Sequence, residues 1–230
     1  MNSDAEREVL ARLRGASQRA SVDQIEAQLA DLPLGSAPSA AASNLAARFL
    51  AQLRRNGAST AEVADRAAAI AELSRYIAGR HAQRRVVTGQ DPRLAALPWR
   101  DGGLLPRFDT AQVGDAVSVS YARRGVAETG SLALWVNRDN PALNNLLCED
   151  HVILLDRSDI HPTLEAVWAD AAWGDASTRP RGMMLISGPS STADIEMQLV
   201  RGAHGPRALH VILLGKEPAA THAASHRPQR

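Results

Sequence analysis

The sequence predicts an α/β protein with an open, mostly parallel sheet flanked by helices and preceded by an N-terminal helical region. In the C-terminal half, short apolar runs alternate with helical patterns, which is typical of a parallel sheet. Before that half, alanine-rich segments carry apolar side chains at helical spacing. We therefore predict a helical arm over residues 1–82, an α/β domain over residues 83–215 and a disordered tail over residues 216–230.

Four helices are predicted in the N-terminal region. The first begins near Ser3, and the second is "SVDQIEAQLADLP", which stops at Pro33. The third carries an apolar stripe over residues 45–53, and "NGAST" follows it as a turn. The fourth is predicted from about residue 61 to residue 80, with apolar side chains again at helical spacing.

Strands are predicted where apolar or alternating runs are bounded by turn residues. "DAVSVSY" alternates Val117, Val119 and Tyr121, the period of a half-buried strand, whereas "HVILLD" is apolar throughout and predicts a strand covered on both faces. A helix is predicted from about residue 162 to residue 172, and a further helix directly after "MMLISG". The remaining predicted strands are "RRVVTG", "SLALWV", "MMLISG" and "ALHVILLG".

Composition and charge exclude several classes of function. The net charge is +1 and aromatic residues make up 3% of the chain, which argues against nucleic-acid binding. Cys148 is the only cysteine, so neither an internal disulfide nor a four-cysteine iron–sulfur cluster can form. Lys216 is the only lysine, which disfavours Schiff-base chemistry. No apolar run reaches the roughly 18 residues of a membrane span, and the polar N-terminus predicts a cytoplasmic protein.

The stretch "LISGPSSTADIEMQLVRGAHGP", residues 185–206, carries the strongest candidate site. Gly188 permits a tight turn, Ser190 or Ser191 would cap the predicted helix, and Thr192 adds a hydroxyl donor. Free amides at the start of this helix predict an anion-binding loop. Alternatively, Ser191 and Asp194 form a capping box, and Asp194 is then structural rather than catalytic.

Two further groups are candidate site residues. His204 and Gly205 follow the predicted helix, where His204 is either a general acid–base or a ligand of the helix C-terminal carbonyls. Glu128, Thr129 and Gly130 lie between two predicted strands, where Glu128 is either a nucleophile or base, or a solvated turn residue.

A cluster of potential metal ligands precedes the strand "HVILLD". Cys148, Glu149, Asp150 and His151 are consecutive in the sequence. Because adjacent residues on a strand point to opposite faces, their side chains do not converge on one ion. We therefore expect no metal site in this chain.

Three ordered blocks resemble the lactate-utilisation protein C family, which is built on the LUD domain. They are "VAETGSLAL", "LCEDHVILLDRSDI" and the 185–206 stretch, with Arg201 as a departure near the end of the third. The resemblance implies a fold like that of the ribose-5-phosphate isomerase and CoA-transferase group. It also implies a role in oxidising L-lactate to pyruvate, alongside partner proteins that carry the iron–sulfur clusters. The motif positions carried over as a site are Glu128, Thr129, Gly188, Ser190, Asp194, His204 and Gly205.

The predicted function is therefore a component of an L-lactate utilisation system that binds a small carboxylate or phosphate and holds no cofactor itself. One alternative is a stand-alone transferase or isomerase in which Glu128 is the nucleophile or base and residues 188–192 hold the substrate. Another alternative is a ligand-binding module without turnover.

Overall fold

The protein consists of two compact units in the computed structural model, Met1–Ser39 and Ala40–Arg230. In the first unit, helix α1 spans Ser3–Ala16. The second predicted helix of this unit lies largely outside the described residues. The structure describes residues 3–16, 21, 23–24, 27, 44–169, 180–193 and 199–215.

The helices of the second unit begin at side-chain caps. The Asn44 side chain accepts a hydrogen bond from the Ala47 amide, and the Asp65 side chain accepts one from the Ala68 amide. None of the helices in the described ranges is long and apolar enough to cross a bilayer. The helices are α2 (Leu45–Arg55), α3 (Arg66–Ala78), α4 (Pro92–Ala95) and α5 (Leu164–Ala169), with 3-10 turns at Trp99–Gly102, Ala142–Asn145 and Arg157–Asp159.

Twelve strands are found in the described part of this unit. They are β1 (Ser59–Val63), β2 (Arg85–Thr88), β3 (Leu105–Phe108), β4 (Val117–Tyr121), β5 (Arg124–Val126), β6 (Ser131–Val136), β7 (Asp150–Asp156), β8 (Ile160–His161), β9 (Gly182–Ile186), β10 (Ser191–Ala193), β11 (Leu199–Arg201) and β12 (Ala208–Leu214).

The main sheet has six strands in the order β1-β12-β7-β4-β2-β3, and all neighbouring pairs are parallel. A second sheet has the order β8-β5-β6-β9, in which β6 is antiparallel to both of its neighbours. β10 and β11 form a separate antiparallel pair. The predicted α/β class with a mostly parallel sheet and flanking helices is confirmed.

Each face of the main sheet is covered by its own apolar core. Ile70, Leu73 and Ile77 of α3 pack on one face, because apolar residues three or four apart share one side of the helix. On the other face, Phe49 and Leu53 of α2 pack together with side chains of the second sheet. Burying each such side chain contributes about 2 kcal/mol of stabilisation. Both faces of β7 are buried, as its apolar run predicts.

The fourth predicted helix begins later in the structure than the sequence pattern indicates. The helix predicted from residue 61 begins at Arg66, and Ser59–Val63 is instead β1, paired in parallel with β12. Val63 fits the helical spacing of the apolar side chains of α3. The sequence pattern therefore indicated a helix where the chain forms a strand. The boundary predicted at residue 82 falls inside the unit Ala40–Arg230.

The helix predicted after "MMLISG" is also wrong in its first residues. Ser191–Ala193 and Leu199–Arg201 pair as antiparallel strands, with Ser191 opposite Arg201. The Ser190 carbonyl accepts a hydrogen bond from the Gly202 amide, which continues this pairing beyond Ser191 and Arg201. Ser191 therefore lies in a strand, and no helix N-terminus is present at this position.

Candidate functional site

A cavity of about 210 Å³ lies between the main sheet and the second sheet. The turn of residues 187–190, which follows β9, forms one wall, and residues 204–206 form another. His151 and Leu209, the second residues of β7 and β12, also line it. Because these residues lie where the parallel strands begin, we call it the amino-edge cavity.

Backbone hydrogen bonds hold the two walls against each other. The Ser190 amide donates to the Pro206 carbonyl over 2.9 Å. A Cβ on Gly205 would lie 3.1 Å from the Ser190 Cβ, so the backbones approach closely because residue 205 has no side chain. This packing fixes the position of the Ser190 hydroxyl at the cavity.

Gly188 provides a second close approach on the other side of the turn. A Cβ at this position would lie 2.6 Å from the Asn56 carbonyl oxygen, at the end of α2. The Asn56 side-chain amide in turn donates to the Thr129 carbonyl over 3.0 Å. The turn after β9, the end of α2 and the turn between β5 and β6 are therefore locked together.

A chain of hydroxyl groups connects that turn to the cavity. The Thr129 and Ser131 hydroxyls are 2.7 Å apart, and the Ser131 and Ser187 hydroxyls are also 2.7 Å apart. Ser187 lines the amino-edge cavity. Each hydroxyl can act as donor or acceptor, so the chain can reorient its protons to suit a bound group at Ser187.

His151 forms a buried polar part of the cavity lining. Its Nε2 lies 2.9 Å from the Ser120 hydroxyl, which donates to Asn145 Oδ1 over 3.0 Å. Since the single Ser120 proton is used on Asn145, His151 carries its own proton on Nε2 and leaves Nδ1 as an acceptor. Nδ1 has no hydrogen-bond partner among the described residues. Burial lowers the pKa of His151 to about 3, so the imidazole is neutral at physiological pH.

Asp150 points to the opposite face of β7, as the alternation along a strand predicts. Its fully buried carboxylate accepts hydrogen bonds from Arg80 Nε over 2.5 Å and from the Tyr76 hydroxyl over 3.1 Å, and lies 3.1 Å from His81 Nε2. Burial alone would raise the pKa of Asp150, but the hydrogen bonds from Arg80 and His81 outweigh it and lower the pKa. Asp150 is therefore a charged group outside the amino-edge cavity.

The structure brings four of the predicted site residues to this cavity. They are Gly188, Ser190, His204 and Gly205. The His204 side chain is exposed at the rim, where it is accessible to a ligand and to solvent.

The other predicted site residues lie elsewhere. Glu128, Thr129 and Gly130 occupy the turn between β5 and β6 and do not line the cavity, although Thr129 reaches it through the hydroxyl chain. The Glu128 backbone is held by the Pro162 carbonyl and the Gln52 side chain. Ser191 and Thr192 lie in β10, beyond the cavity lining. Asp194 lies outside the described residues.

The expected source of anion binding is absent at this turn. With β10 in place of a helix, the amides of residues 191–193 lie in a strand, and the Ser190 amide is already bonded to Pro206. The polar groups at this cavity are therefore hydroxyl groups, histidine rings and the Asn145 side chain instead of a helix N-terminus.

Sequence reasoning missed three polar residues of the lining, namely Ser187, Asn145 and His151. His151 stands at the start of an otherwise apolar strand, and a polar residue in such a buried run is a signal that could have been used. Asn145 lies in a 3-10 turn outside the candidate groups 128–130 and 185–206, and no local pattern links it to them.

Among the described residues, no three histidine, cysteine, aspartate or glutamate side chains gather in a way that could hold a metal ion. Cys148 is buried, and burial raises the pKa of its thiol to about 11. The thiol is therefore protonated at neutral pH and is a poor nucleophile or metal ligand.

The geometry defines the class of protein: an α/β fold of two sheets with a cavity between them that is lined by hydroxyl groups and histidines. Residues 107–214 match the LUD domain, and this part of the chain contains every residue of the cavity lining. The predicted resemblance to the lactate-utilisation protein C family and its LUD domain is therefore confirmed.

Several curated proteins are similar to this chain. An uncharacterized protein of Neisseria meningitidis serogroup B is 36% identical over 98 residues, which is 41% of this chain and 40% of that protein. Lactate utilization protein C of Exiguobacterium is 25% identical over 61% of this chain and 65% of its own length. Lactate utilization protein C of Macrococcus caseolyticus is 32% identical over 42% of this chain and 43% of its own length. The similarity thus spans about two fifths to two thirds of these relatives.

One solved structure is similar in fold. A crystal structure of a DUF162 family protein from Deinococcus radiodurans superposes with a TM-score of 0.52 over 75% of this chain and 97% of that chain, at 20% identity. This similarity supports the arrangement of the strands and helices.

Proposed function

We propose that this chain is a component of an L-lactate utilisation system and that its amino-edge cavity binds L-lactate or its oxidation product pyruvate. The proposal is supported by similarity to proteins named lactate utilization protein C. It is carried by one structural observation, a small cavity whose polar lining includes hydroxyl groups, the Asn145 side chain, the neutral His151 and the exposed His204.

The size of the cavity favours a small acid. Its volume of about 210 Å³ is below the roughly 300–1,000 Å³ of pockets that enclose drug-sized ligands. CoA, a sugar phosphate or a folate, which the stand-alone transferase or isomerase alternative requires, is larger than lactate. Glu128, the nucleophile in that alternative, is also not part of the lining.

The polar groups suit the two functional groups of lactate. The Ser187 and Ser190 hydroxyls and the His204 ring are donors for a carboxylate at the more open side. The buried His151 Nδ1 is an acceptor without a partner among the described residues, and it would accept a hydrogen bond from the lactate hydroxyl. Pyruvate has no such hydroxyl donor, so we expect lactate to bind more tightly than pyruvate.

The redox chemistry is assigned to partner proteins. Oxidation of lactate to pyruvate releases two protons and two electrons, and a single buried cysteine does not provide the ligands of a four-cysteine cluster. We therefore propose that iron–sulfur proteins associated with this chain accept the electrons.

Calorimetric titration of the full chain with L-lactate and pyruvate tests the binding site. Ser190→Ala should weaken L-lactate binding by about five-fold or more, the effect of one lost hydrogen bond of about 1 kcal/mol. Ser191→Ala is the matched control, because Ser191 is exposed on β10 and should bind like the wild type. Absence of saturable binding of either acid, or an equal effect of the two substitutions, would refute the site.

Co-purification from the native host tests the partners. A gently tagged full-length chain should recover iron-containing proteins in fixed ratio, detected by mass spectrometry and iron analysis. A deletion strain that grows normally on L-lactate as its sole carbon source would contradict the proposed role, even if the cavity binds the acid.

A further inference from the structure

A second cavity, of about 370 Å³, lies at the opposite end of the parallel strands. Tyr121 at the end of β4 lines it, as do Asp91 and Arg93 shortly after β2. We call it the carboxyl-edge cavity. It shares no lining residue with the amino-edge cavity, so its ligand would bind independently.

The position of this cavity in the topology is one at which α/β proteins bind ligands. From β2 the chain continues to β3 on one side, whereas β4 lies on the other side and leads on to β7 and β12. The strand order therefore reverses between β2 and β4. Ligands of open α/β sheets bind outside the carboxyl ends of the strands at such a switch point.

Two arginines of the cavity are stacked on aromatic rings. The Arg93 guanidinium carbon lies 4.0 Å from the centre of the Tyr121 ring, and that of Arg123 lies 4.7 Å from the centre of the Trp135 ring. Stacking uses the face of a guanidinium and leaves the N–H groups at its edge available for an oxyanion. The Tyr121 ring is itself fixed, because its hydroxyl donates to Asp156 over 2.8 Å.

The guanidinium N–H groups of the two arginines differ in their ion-pair partners. Arg93 donates to both oxygens of Asp91, over 3.1 and 2.7 Å, so this pair contributes no net charge. Arg123 forms no ion pair with any described residue, and its side chain is exposed. Asp139 at the rim is the remaining acidic residue of the lining. Arg123 is thus the cation available to a ligand.

We propose that the carboxyl-edge cavity is a second ligand site, which binds an organic anion larger than lactate through the Arg123 guanidinium. The guanidinium would hold the phosphate or carboxylate group of this anion by paired hydrogen bonds. The organic part would lie against Pro92 and the aromatic side chains of the lining. The volume of 370 Å³ falls in the range of metabolite pockets, above that of the amino-edge cavity.

The test is calorimetric titration of the full chain with three probes: AMP as a phosphate ester, citrate as a carboxylate, and inorganic phosphate. We expect AMP or citrate to bind saturably with a Kd of about 1 mM or tighter, and more tightly than inorganic phosphate. Which of the two binds identifies the anionic group. An excess of L-lactate should leave this binding unchanged, since the two linings are separate.

Arg123→Gln should weaken binding by about ten-fold or more, the effect of losing a charge-assisted hydrogen bond. Arg138→Gln is the matched control, because Arg138 is exposed on the loop after β6, between the lining residues Asn137 and Asp139, does not itself line the cavity and changes the net charge equally. The proposal is overturned if neither AMP nor citrate binds, if inorganic phosphate binds as tightly as both, or if the two substitutions have equal effects.

Discussion

At the scale of single residues, His151 lines the amino-edge cavity and also makes the stability of the fold depend on pH. It lines the amino-edge cavity with a buried Nδ1 that has no hydrogen-bond partner among the described residues, and it remains neutral because burial lowers its pKa to about 3. In the unfolded chain its pKa is about 6.5, so below that pH the unfolded state takes up a proton that the folded state does not.

His151→Gln should therefore flatten the acid dependence of stability. In the wild type, this group lowers the free energy of unfolding as pH falls from 6.5 towards 3, by up to about 1.4 kcal/mol per pH unit. Glutamine retains a donor for Ser120 but does not titrate. Urea unfolding from neutral to mildly acidic pH measures the slope, and His204→Gln, which removes an exposed histidine, is the control. Equal slopes for wild type and His151→Gln would contradict the assignment.

Gly188→Ala should destabilise the protein by about 1–3 kcal/mol. The new Cβ would lie 2.6 Å from the Asn56 carbonyl oxygen, a backbone atom that cannot move without shifting the end of α2. Gly182→Ala on β9 is the control, because a Cβ there meets no atom within 4 Å. A thermal melt in which both variants unfold at the wild-type temperature would show that the turn is not tightly packed.

Which residues form the site was only partly predictable. Gly188, Ser190, His204 and Gly205 belong to one short motif, so their proximity follows from sequence distance. His151 and Asn145 reach the cavity only through strand pairing, which brings distant segments together and leaves no local pattern. Glu128 carries a carboxylate that could act as a nucleophile or base, and a glycine lies close to it in the sequence, but its turn packs against α2 and not at the cavity.

At the scale of elements, Asp150 connects the start of β7 to the end of α3. Arg80, His81 and Tyr76 all lie at or beyond the last turns of that helix and all contact the Asp150 carboxylate. The carboxylate is fully buried, so its charge depends on stabilisation by these partners.

Asp150→Asn should lower the free energy of unfolding by about 3 kcal/mol, because it leaves Arg80 without its buried counter-charge. The Asp150 pKa is lowered in the folded state, so this contribution is present above about pH 4 and is lost as pH falls below it. The difference in unfolding free energy between the wild type and Asp150→Asn, measured by urea unfolding, should therefore decrease in acid. Asp101→Asn, at an exposed aspartate, should leave stability unchanged. A wild-type-like Asp150→Asn protein would show that the cluster is not stabilising.

The elements predicted correctly are those in which one pattern dominates. β4, β7 and β12 consist of alternating or continuous apolar residues, and their burial follows directly. β10 and β11 were missed because "STADIEMQLV" contains good helix formers, whereas hairpin pairing between its two ends decides the structure of residues 191–193 and 199–201. β1 was missed because its pairing partner, β12, is about 150 residues away, as in the pair Ser59 and His210.

At the scale of the whole molecule, the parallel sheet separates two cavities of different size and chemistry. The amino-edge cavity is small and lined by hydroxyls and histidines, and the carboxyl-edge cavity is larger and lined by stacked arginines. The class of the fold was predictable because alternation of strands and helices restricts topology strongly. The order of the strands, which places the cavities, depends on long-range pairing and could not be read from local patterns.

The most direct test of the account is a crystal structure of the full chain grown with L-lactate. We predict density for one lactate molecule in the amino-edge cavity, with its carboxylate at the Ser190 hydroxyl and His204 and its hydroxyl within hydrogen-bonding distance of His151 Nδ1. A cavity filled by protein side chains, or lactate bound only elsewhere, would contradict the central claim.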